Sequence, residues 1–409
     1  MANLLIERLG KQADGIAKDA SGREVFIPFT LPGETVHASG DGRNLELVEV
    51  LDASPIRVEP LCAHFGTCGG CQTQHMPADV YAKWKVAILV DALARENLGH
   101  DEISFHSFAN AERRKATFSA VRNEDGVVLG FAKEQSHEII NLDMCPVLVP
   151  ELEGTIPSIR DFASTLPIGK KPVRISVLVT RNGLDVCVDG LRPPADAQKL
   201  GLVRKAAALD FARLSVGDEI LVETCKPFID IGTTQVIVPP GGFVQASSSA
   251  EAKMAALVCS HLASSKSVAD LYCGVGTFAL RLAENSKVWA LEESSAAVAQ
   301  LEKAWRETGG KLKQVSVEAR NLERRPATFK ELKHFEGLVF DPPRAGAELQ
   351  VQQIAKSAVR RVAAVSCNPT SLARDLAILV NGGFRLSALH AVDQFRFTPH
   401  LEVVALLER

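Results

Sequence analysis

The last third of the chain contains a thiol, a carboxylate and a glycine-rich turn whose types and order allow one chemistry above others. Cys367 stands in the string Val365-Ser366-Cys367-Asn368-Pro369. An apolar run precedes it and Asn-Pro follows, so the cysteine falls on a turn after a strand rather than inside a core. Glu402 closes the string Pro399-His400-Leu401-Glu402. A thiolate can add to carbon 6 of a pyrimidine and make carbon 5 nucleophilic; a carboxylate can later remove the carbon-5 proton. With a methyl donor nearby, the pair would methylate a pyrimidine at carbon 5. His400 reads as a local structural partner.

A donor site is written upstream. Asp270-Leu271-Tyr272-Cys273-Gly274-Val275-Gly276-Thr277-Phe278 ends one apolar run and opens a helix. Glycines there let backbone approach a ligand closely. Glu292 ends the next strand, where a carboxylate can hold ribose hydroxyls. Ala279 stands where dinucleotide sites carry a third glycine, which favours S-adenosylmethionine over NAD. Asn321, after the third strand, is placed to meet the adenine edge. Asp341, in Asp341-Pro342-Pro343-Arg344, follows the fourth strand and would face the target base, on a loop stiffened by proline.

A second cluster lies near the N-terminus. Cys62, Cys68 and Cys71 form a C-x5-C-x2-C run with glycines between the last two, and Cys145 precedes Pro146. Structural zinc usually draws on two close pairs. Three grouped cysteines with a remote fourth before proline favour a [4Fe–4S] cluster, with zinc and unligated thiols as alternatives. His64 and His75 are further candidate ligands. Cys187, Cys225 and Cys259 read as core, and Cys273 as packing beneath the glycine loop.

These groups need a scaffold, and the chain's 409 residues are enough for two or three domains. Residues 1–55 show short alternating runs punctuated by glycine, the pattern of a small β-barrel, an architecture that often binds oligonucleotides, with a plain structural module as the alternative. Residues 56–245 hold the cysteine cluster, a helix over 80–98 and a mainly β region. From 246 to 409 strands at 267–271, 287–291, 313–317, 337–341, 361–366, 384–392 and 403–407 alternate with helices at 250–262, 279–285, 294–308, 349–357 and 371–381. That alternation predicts an α/β, Rossmann-like sheet, mainly parallel, with its ligand site beyond the strand carboxyl ends. A net charge of −3 gives no global nucleic-acid signature, so RNA contacts must come from local patches such as Arg113-Arg114-Lys115, Lys170-Lys171 or Arg360-Arg361. Nine cysteines without a signal-peptide layout argue for ligands and nucleophiles rather than disulfides and for a cytoplasmic location. No run is apolar enough for a membrane span.

Taken together, these residues resemble the RNA uracil-5 methyltransferase family, specifically its iron–sulfur branch, the 23S ribosomal RNA (uracil-5-)-methyltransferases. The resemblance spans nearly the whole chain. It implies that the first 55 residues form a TRAM domain and that Cys62, Cys68, Cys71 and Cys145 hold the cluster. Phe243-Val244-Gln245 matches a Phe-x-Gln motif, with Gln245 touching cofactor and base and Phe243 packing on the base. Tyr272, Glu292, Asn321 and Asp341 match cofactor-binding positions, Cys367 the nucleophile and Glu402 the base. Thr277 departs from the asparagine of some members. The implied substrate is RNA, 23S rRNA first, with no membrane and no obligate protein partner. A transfer-RNA enzyme of the same mechanism, a cytosine-5 enzyme, a small-molecule methyltransferase and a non-catalytic RNA-binding iron–sulfur protein are the competing readings.

Overall fold

The computed structural model describes residues 2–100, 102–109, 111–134, 136–169, 171–192 and 194–409. Lys170, one half of a candidate basic pair, lies outside them.

Apolar runs near the C-terminus alternate in which face they serve. Val268, Val339, Ala363 and Val365 point into one core, while Ala269, Leu271, Leu338, Phe340, Val362 and Ala364 point into another. This period of two, apolar on both faces, is what a buried central sheet requires. Its eight strands are β1 (Ile103–His106), β2 (Ser267–Leu271), β3 (Lys287–Glu292), β4 (Val315–Ala319), β5 (Gly337–Phe340), β6 (Arg361–Ser366), β7 (Arg385–Val392) and β8 (Glu402–Glu408), in spatial order 4-3-2-5-6-8-7-1. All pair in parallel except β8, which runs antiparallel to both neighbours. The order reverses between β2 and β5, which opens a crevice beyond their carboxyl ends. Helices α1 (Ala78–Arg95), α2 (Ser248–Leu262), α3 (Ser295–Glu307), α4 (Glu348–Ala355) and α5 (Pro369–Asn381) cover the sheet. Side chains of Ser247, Ser294 and Asn368 accept backbone N–H bonds at the starts of α2, α3 and α5, so polar residues set the helix starts.

One segment packs elsewhere than its sequence position suggests. α1 and β1, read as part of a central region 56–245, pack with the C-terminal sheet: β1 pairs with β7, and Leu89, Ala92 and Leu93 of α1 enter its core. An edge strand takes its partner from tertiary packing, which local pattern does not encode.

What remains of the centre is a seven-stranded sheet, mostly antiparallel. Its one parallel pair, Gly183–Asp189 with Phe211–Val216, is joined by the helix Asp196–Ala208, which a mainly β reading leaves out. A parallel pair needs such a crossover. Buried Arg213 donates two bonds to Asp185, at 2.9 and 2.7 Å, and one to the carbonyl of Val238 at 2.7 Å. Arg213→Ala would leave a buried carboxylate unpaired, and urea denaturation should show a loss of about 3–5 kcal/mol.

Residues 2–52 form two three-stranded sheets. Leu4, Ile6, Ala17, Val25, Ile27, Val36 and Ala38 from both sheets meet in one small core, as a barrel requires. Trp84 of α1 donates to the carbonyl of Gly10 at 2.9 Å, and Arg57 pairs with buried Glu34 at 2.6 Å, so the barrel is tied to the rest.

Candidate active site

Cys367 sits on the bend between β6 and α5. The side chain of Asn368, which caps α5, donates to the carbonyl of Arg344 at 2.8 Å, and Ser371 Oγ donates to the same carbonyl at 3.0 Å. The cysteine turn and the Asp341-Pro342-Pro343-Arg344 loop are thus fastened together. The Arg344 guanidinium in turn lies 3.2 Å from His400 Nδ1.

A cleft of about 800 Å³ opens over the carboxyl ends of β2, β3 and β5. Gln245, Tyr272, Glu292, Asn321, Asp341, Cys367 and Glu402 all line it, as does Phe243, which is 71% exposed. At one end lies the glycine loop. Gly276 has φ +102°, and a Cβ there would meet Leu301 at 2.5 Å, so only glycine fits. Glu292 accepts from Gly274 N at 3.1 Å and from Ser294 N at 2.8 Å, which orients its carboxylate at the strand end. Asn321 spends its amide locally: it donates to Glu293 at 2.6 Å and accepts from Arg324 N at 2.8 Å. Beneath the loop, fully buried Asp270 is held well above the usual carboxylate range by desolvation and by the charges of Asp341 and Glu292.

The other end holds four acidic or amide side chains in a row. Gln245 Nε2 donates to Asp341 Oδ2 at 3.1 Å. Gln394 Nε2 donates to Gln245 Oε1 at 2.8 Å and to Glu402 Oε2 at 3.2 Å. Burial raises Glu402, the charge of Asp341 raises it further, and the Gln394 bond opposes both. Burial likewise raises Asp341, against the bond from Gln245. The Cys367 thiol is pushed up to about 11 by burial and by the charges of Glu402 and Asp341, with Arg344 acting the other way. A thiol, a proton acceptor and a polar edge for a planar base therefore meet within reach of a ligand cradle.

Gln394 was not apparent from the sequence. The only signal was its place in Asp393-Gln394-Phe395, just after β7 and facing the crevice. The triplet Arg113-Arg114-Lys115 has a different use from an RNA patch: Arg114 Nε donates to Gln245 O at 3.1 Å and its terminal nitrogen to Glu251 at 2.6 Å, while Lys115 Nζ donates to Gly242 O at 2.6 Å. These bonds hold the segment that presents Gln245. Cys225, read as core, lies on a bend and is partly exposed.

Away from the cleft, Cys62, Cys68, Cys71 and Cys145 line a single cavity of about 380 Å³ with His64, Gln74 and Arg113. Gln74 Oε1 accepts from Cys62 N at 3.0 Å and Glu153 Oε1 from Cys145 N at 2.7 Å. Burial pushes Cys71 up to about 11 and Cys145 up to about 12, and neighbouring cysteines add to both shifts. Among the described residues, no three His, Cys, Asp or Glu side chains converge tightly enough to hold one metal ion. His75 lies apart, fully buried, 3.4 Å from Thr30 O. Among the same residues no helix is long and apolar enough to cross a membrane.

The model of the tRNA (Uracil-5-)-methyltransferase family matches residues 235–409, and that of the TRAM domain matches residues 2–39. Over 408 residues the chain is 46% identical to a protein of Mesorhizobium japonicum described as an uncharacterized RNA methyltransferase, with 100% of this chain and 98% of that one covered. It is 32% identical over 435 residues to the 23S rRNA (uracil(1939)-C(5))-methyltransferase RlmD of Halomonas elongata, covering 99% of this chain and 89% of the relative. Among solved structures, the tRNA (uracil-54, C5)-methyltransferase of Pyrococcus abyssi in complex with S-adenosyl-L-homocysteine is similar with a TM-score of 0.74 over 99% of this chain and 100% of that one; at 20% identity this is a likeness of fold. With its TRAM barrel, its Rossmann-like sheet and these relatives, the chain belongs to the S-adenosylmethionine-dependent RNA (uracil-5-)-methyltransferases.

Proposed function

We propose that this enzyme methylates carbon 5 of a uridine in 23S rRNA through a covalent bond between Cys367 and carbon 6. The observation that carries the reading is the meeting of Cys367, Glu402, Asp341 and Gln245 in one cleft that Gly274 and Val275 of the glycine loop also line. S-adenosylmethionine supplies an electrophilic methyl group when bound. The residues present fit it: Gly274 lines the cleft with open space where a Cβ would stand, Glu292 at a strand end suits ribose hydroxyls, and Tyr272, Asn321 and Asp341 lie around the same space.

The thiolate of Cys367 forms a bond to carbon 6, and the electron pair of the 5,6 double bond moves to carbon 5. Carbon 5 then bonds to the methyl carbon, whose bond to sulfur breaks. Glu402 takes the carbon-5 proton, the double bond re-forms, and the Cys367–carbon 6 bond breaks to return the thiolate. Gln245 and Asp341 present a donor and an acceptor to the uracil edge, and exposed Phe243 offers it a stacking face. A uridine in folded RNA must leave its stack to reach Cys367, at a cost of about a few kcal/mol. The TRAM barrel would grip flanking RNA. No membrane and no obligate protein partner enters this scheme, and a cytoplasmic location suits it.

For the cysteine cavity we favour a [4Fe–4S] cluster held by Cys62, Cys68, Cys71 and Cys145. Four thiols around a cavity, rather than converging on a point, suit a polynuclear centre better than one zinc ion. Arg113 lines the same cavity with its Nε unpartnered among the described residues, and it would offset thiolate charge. The cluster would clamp the 62–71 loop to the 145 region, a structural role. Cys68→Ser or Cys71→Ser should abolish the visible absorbance of an anaerobic preparation; zinc in place of iron in the unsubstituted protein would overturn the assignment.

Nucleoside mass spectrometry of fractionated RNA from cells with and without the gene tests substrate and reaction together. Loss of 5-methyluridine from a 23S fragment is expected. Loss from transfer RNA alone would keep the mechanism and replace the substrate.

A further inference from the structure

The loop between β7 and β8, residues 393–401, carries Gln394 and leads directly into Glu402. It is clamped from α1 by a buried polar cluster. Tyr81 and Lys85 stand one helical turn apart and face the same way. Lys85 Nζ lies 3.0 Å from Asp393 Oδ1, with side chains 0% and 1% exposed. The same ammonium donates to the carbonyl of Phe395 at 3.3 Å and to that of His400. Tyr81 donates its hydroxyl to Asp393 Oδ1 at 2.8 Å and accepts from Phe397 N at 3.0 Å. Phe397 has φ +63°, a conformation that aromatic residues rarely hold without such a tether. A desolvated lysine and aspartate need all these bonds to offset their burial. Each bond named here runs from α1 to this loop.

Next to Asp393, the amide of Gln394 reaches Gln245 Oε1 at 2.8 Å and Glu402 Oε2 at 3.2 Å. An NH2 group can only donate, so it engages Oε2 as acceptor. Among the described residues Oε1 of Glu402 has no partner, and Glu402 lines the cleft beside Cys367. We propose that Gln394 is a positioning residue that aims Glu402 at the carbon-5 proton, and that Lys85, Asp393 and Tyr81 anchor it. This inference rests on the reading of Glu402 as the base. The titratable group that bears on Glu402 is Asp341; Glu402 in turn bears on Cys367, which Arg344 also affects. Gln394 is therefore a neutral donor beside a carboxylate that shares a desolvated space with two other acidic groups, and its bond favours the ionised form. Lys85 lies outside the stretch 235–409 that carries Cys367 and Glu402.

RNA tritiated at uridine carbon 5 tests this. Gln394→Met keeps length and removes both donors. Binding of S-adenosylmethionine and formation of the Cys367 adduct should stay near the wild-type level. Tritium release should slow about 10- to 100-fold, with the adduct accumulating. Loss of the donor raises Glu402, so the acidic limb of the release profile should move to higher pH. A Lys85→Met, Asp393→Asn double variant removes the ion pair and leaves the carbonyls of Phe395 and His400 without their donor, so it should melt lower than wild type and is assayed below its melting transition. It should show the same slowing of release in smaller measure. Wild-type release by Gln394→Met with an unmoved limb overturns the proposal. So does a parallel loss of cofactor binding, adduct formation and release, which would mark a structural role only. If the wild-type enzyme itself forms no adduct and releases no tritium, the proposed carbon-5 chemistry fails first; if Glu402→Gln releases tritium as wild type does, the assignment of Glu402 fails; either result takes this inference with it.

Discussion

Cys367→Ala is expected to lower RNA methylation by at least about 10⁴-fold, the scale seen when a nucleophile is removed from a set that acts as a unit. Carbon 5 of uracil is a poor nucleophile until sulfur adds at carbon 6, and alanine offers nothing to add. Binding of S-adenosylmethionine should persist, because the proposed cradle draws mainly on residues that follow β2, β3 and β4 rather than on the Cys367 turn. Calorimetric binding measured beside methyl incorporation separates the two effects. The thiol's pKa of about 11 adds a signature. Wild-type adduct formation should climb with pH through the neutral range as the thiolate fraction grows, and the variant should show no such climb. Turnover by the variant within about tenfold of wild type would sink the covalent mechanism.

Glu402→Gln should stop the cycle later. Methyl transfer leaves a proton on carbon 5, and without a base the enzyme stays bonded to its RNA. Release should slow by about 10² to 10⁴-fold, the usual contribution of a general base. A denaturing gel would show protein carrying RNA. The charge of Glu402 raises Cys367, so its removal should favour the thiolate, and adduct formation should be no slower than in wild type. Stability should move the other way from activity. A buried carboxyl held above its ordinary range binds its proton more tightly folded than unfolded. Folding stability therefore falls as pH rises from the ordinary carboxylate range toward the folded value. The amide escapes that loss, so the variant should melt higher than wild type at mildly alkaline pH. Full turnover with no adduct would assign the proton to another group.

Much of the catalytic sheet was legible in the sequence because its signals are local. Residues 267–271 and 361–366 coincide with β2 and β6, since each is a doubly buried apolar run closed by a glycine turn or an Asn-Pro cap. The helix expected at 279–285 is only Ala279–Leu282. Cys367, Asp341 and Glu402 could be picked out because each follows or begins a strand at the crevice. Other features depend on distant partners. Lys85 reads as surface charge on an amphipathic helix until Asp393 is placed beside it. Gln394 is an ordinary loop amide until β7 and β8 bring it between Gln245 and Glu402. Arg114 and Lys115 look like a basic patch, yet their partners are a glutamate on α2 and carbonyls near Gln245. Nothing in the sequence near Ile103–His106 specifies that it completes a sheet formed mostly by the last third of the chain.

That placement of β1 and α1 bears on how the protein is made. Both leave the ribosome well before any other strand of the sheet they join, and they must wait for β7. Until then α1 has the barrel to rest against, where Trp84 donates to the Gly10 carbonyl and Tyr81 and Trp84 pack with Ala13 and Leu31. Conversely, a chain cut to begin at β2 would expose the free edge of β7, an invitation to pair with another copy. It would also leave Asp393 without its lysine. The catalytic domain is therefore poorly suited to excision as a portable module. Its two pieces, co-expressed as separate chains, should reassemble better than the C-terminal piece can stay soluble alone.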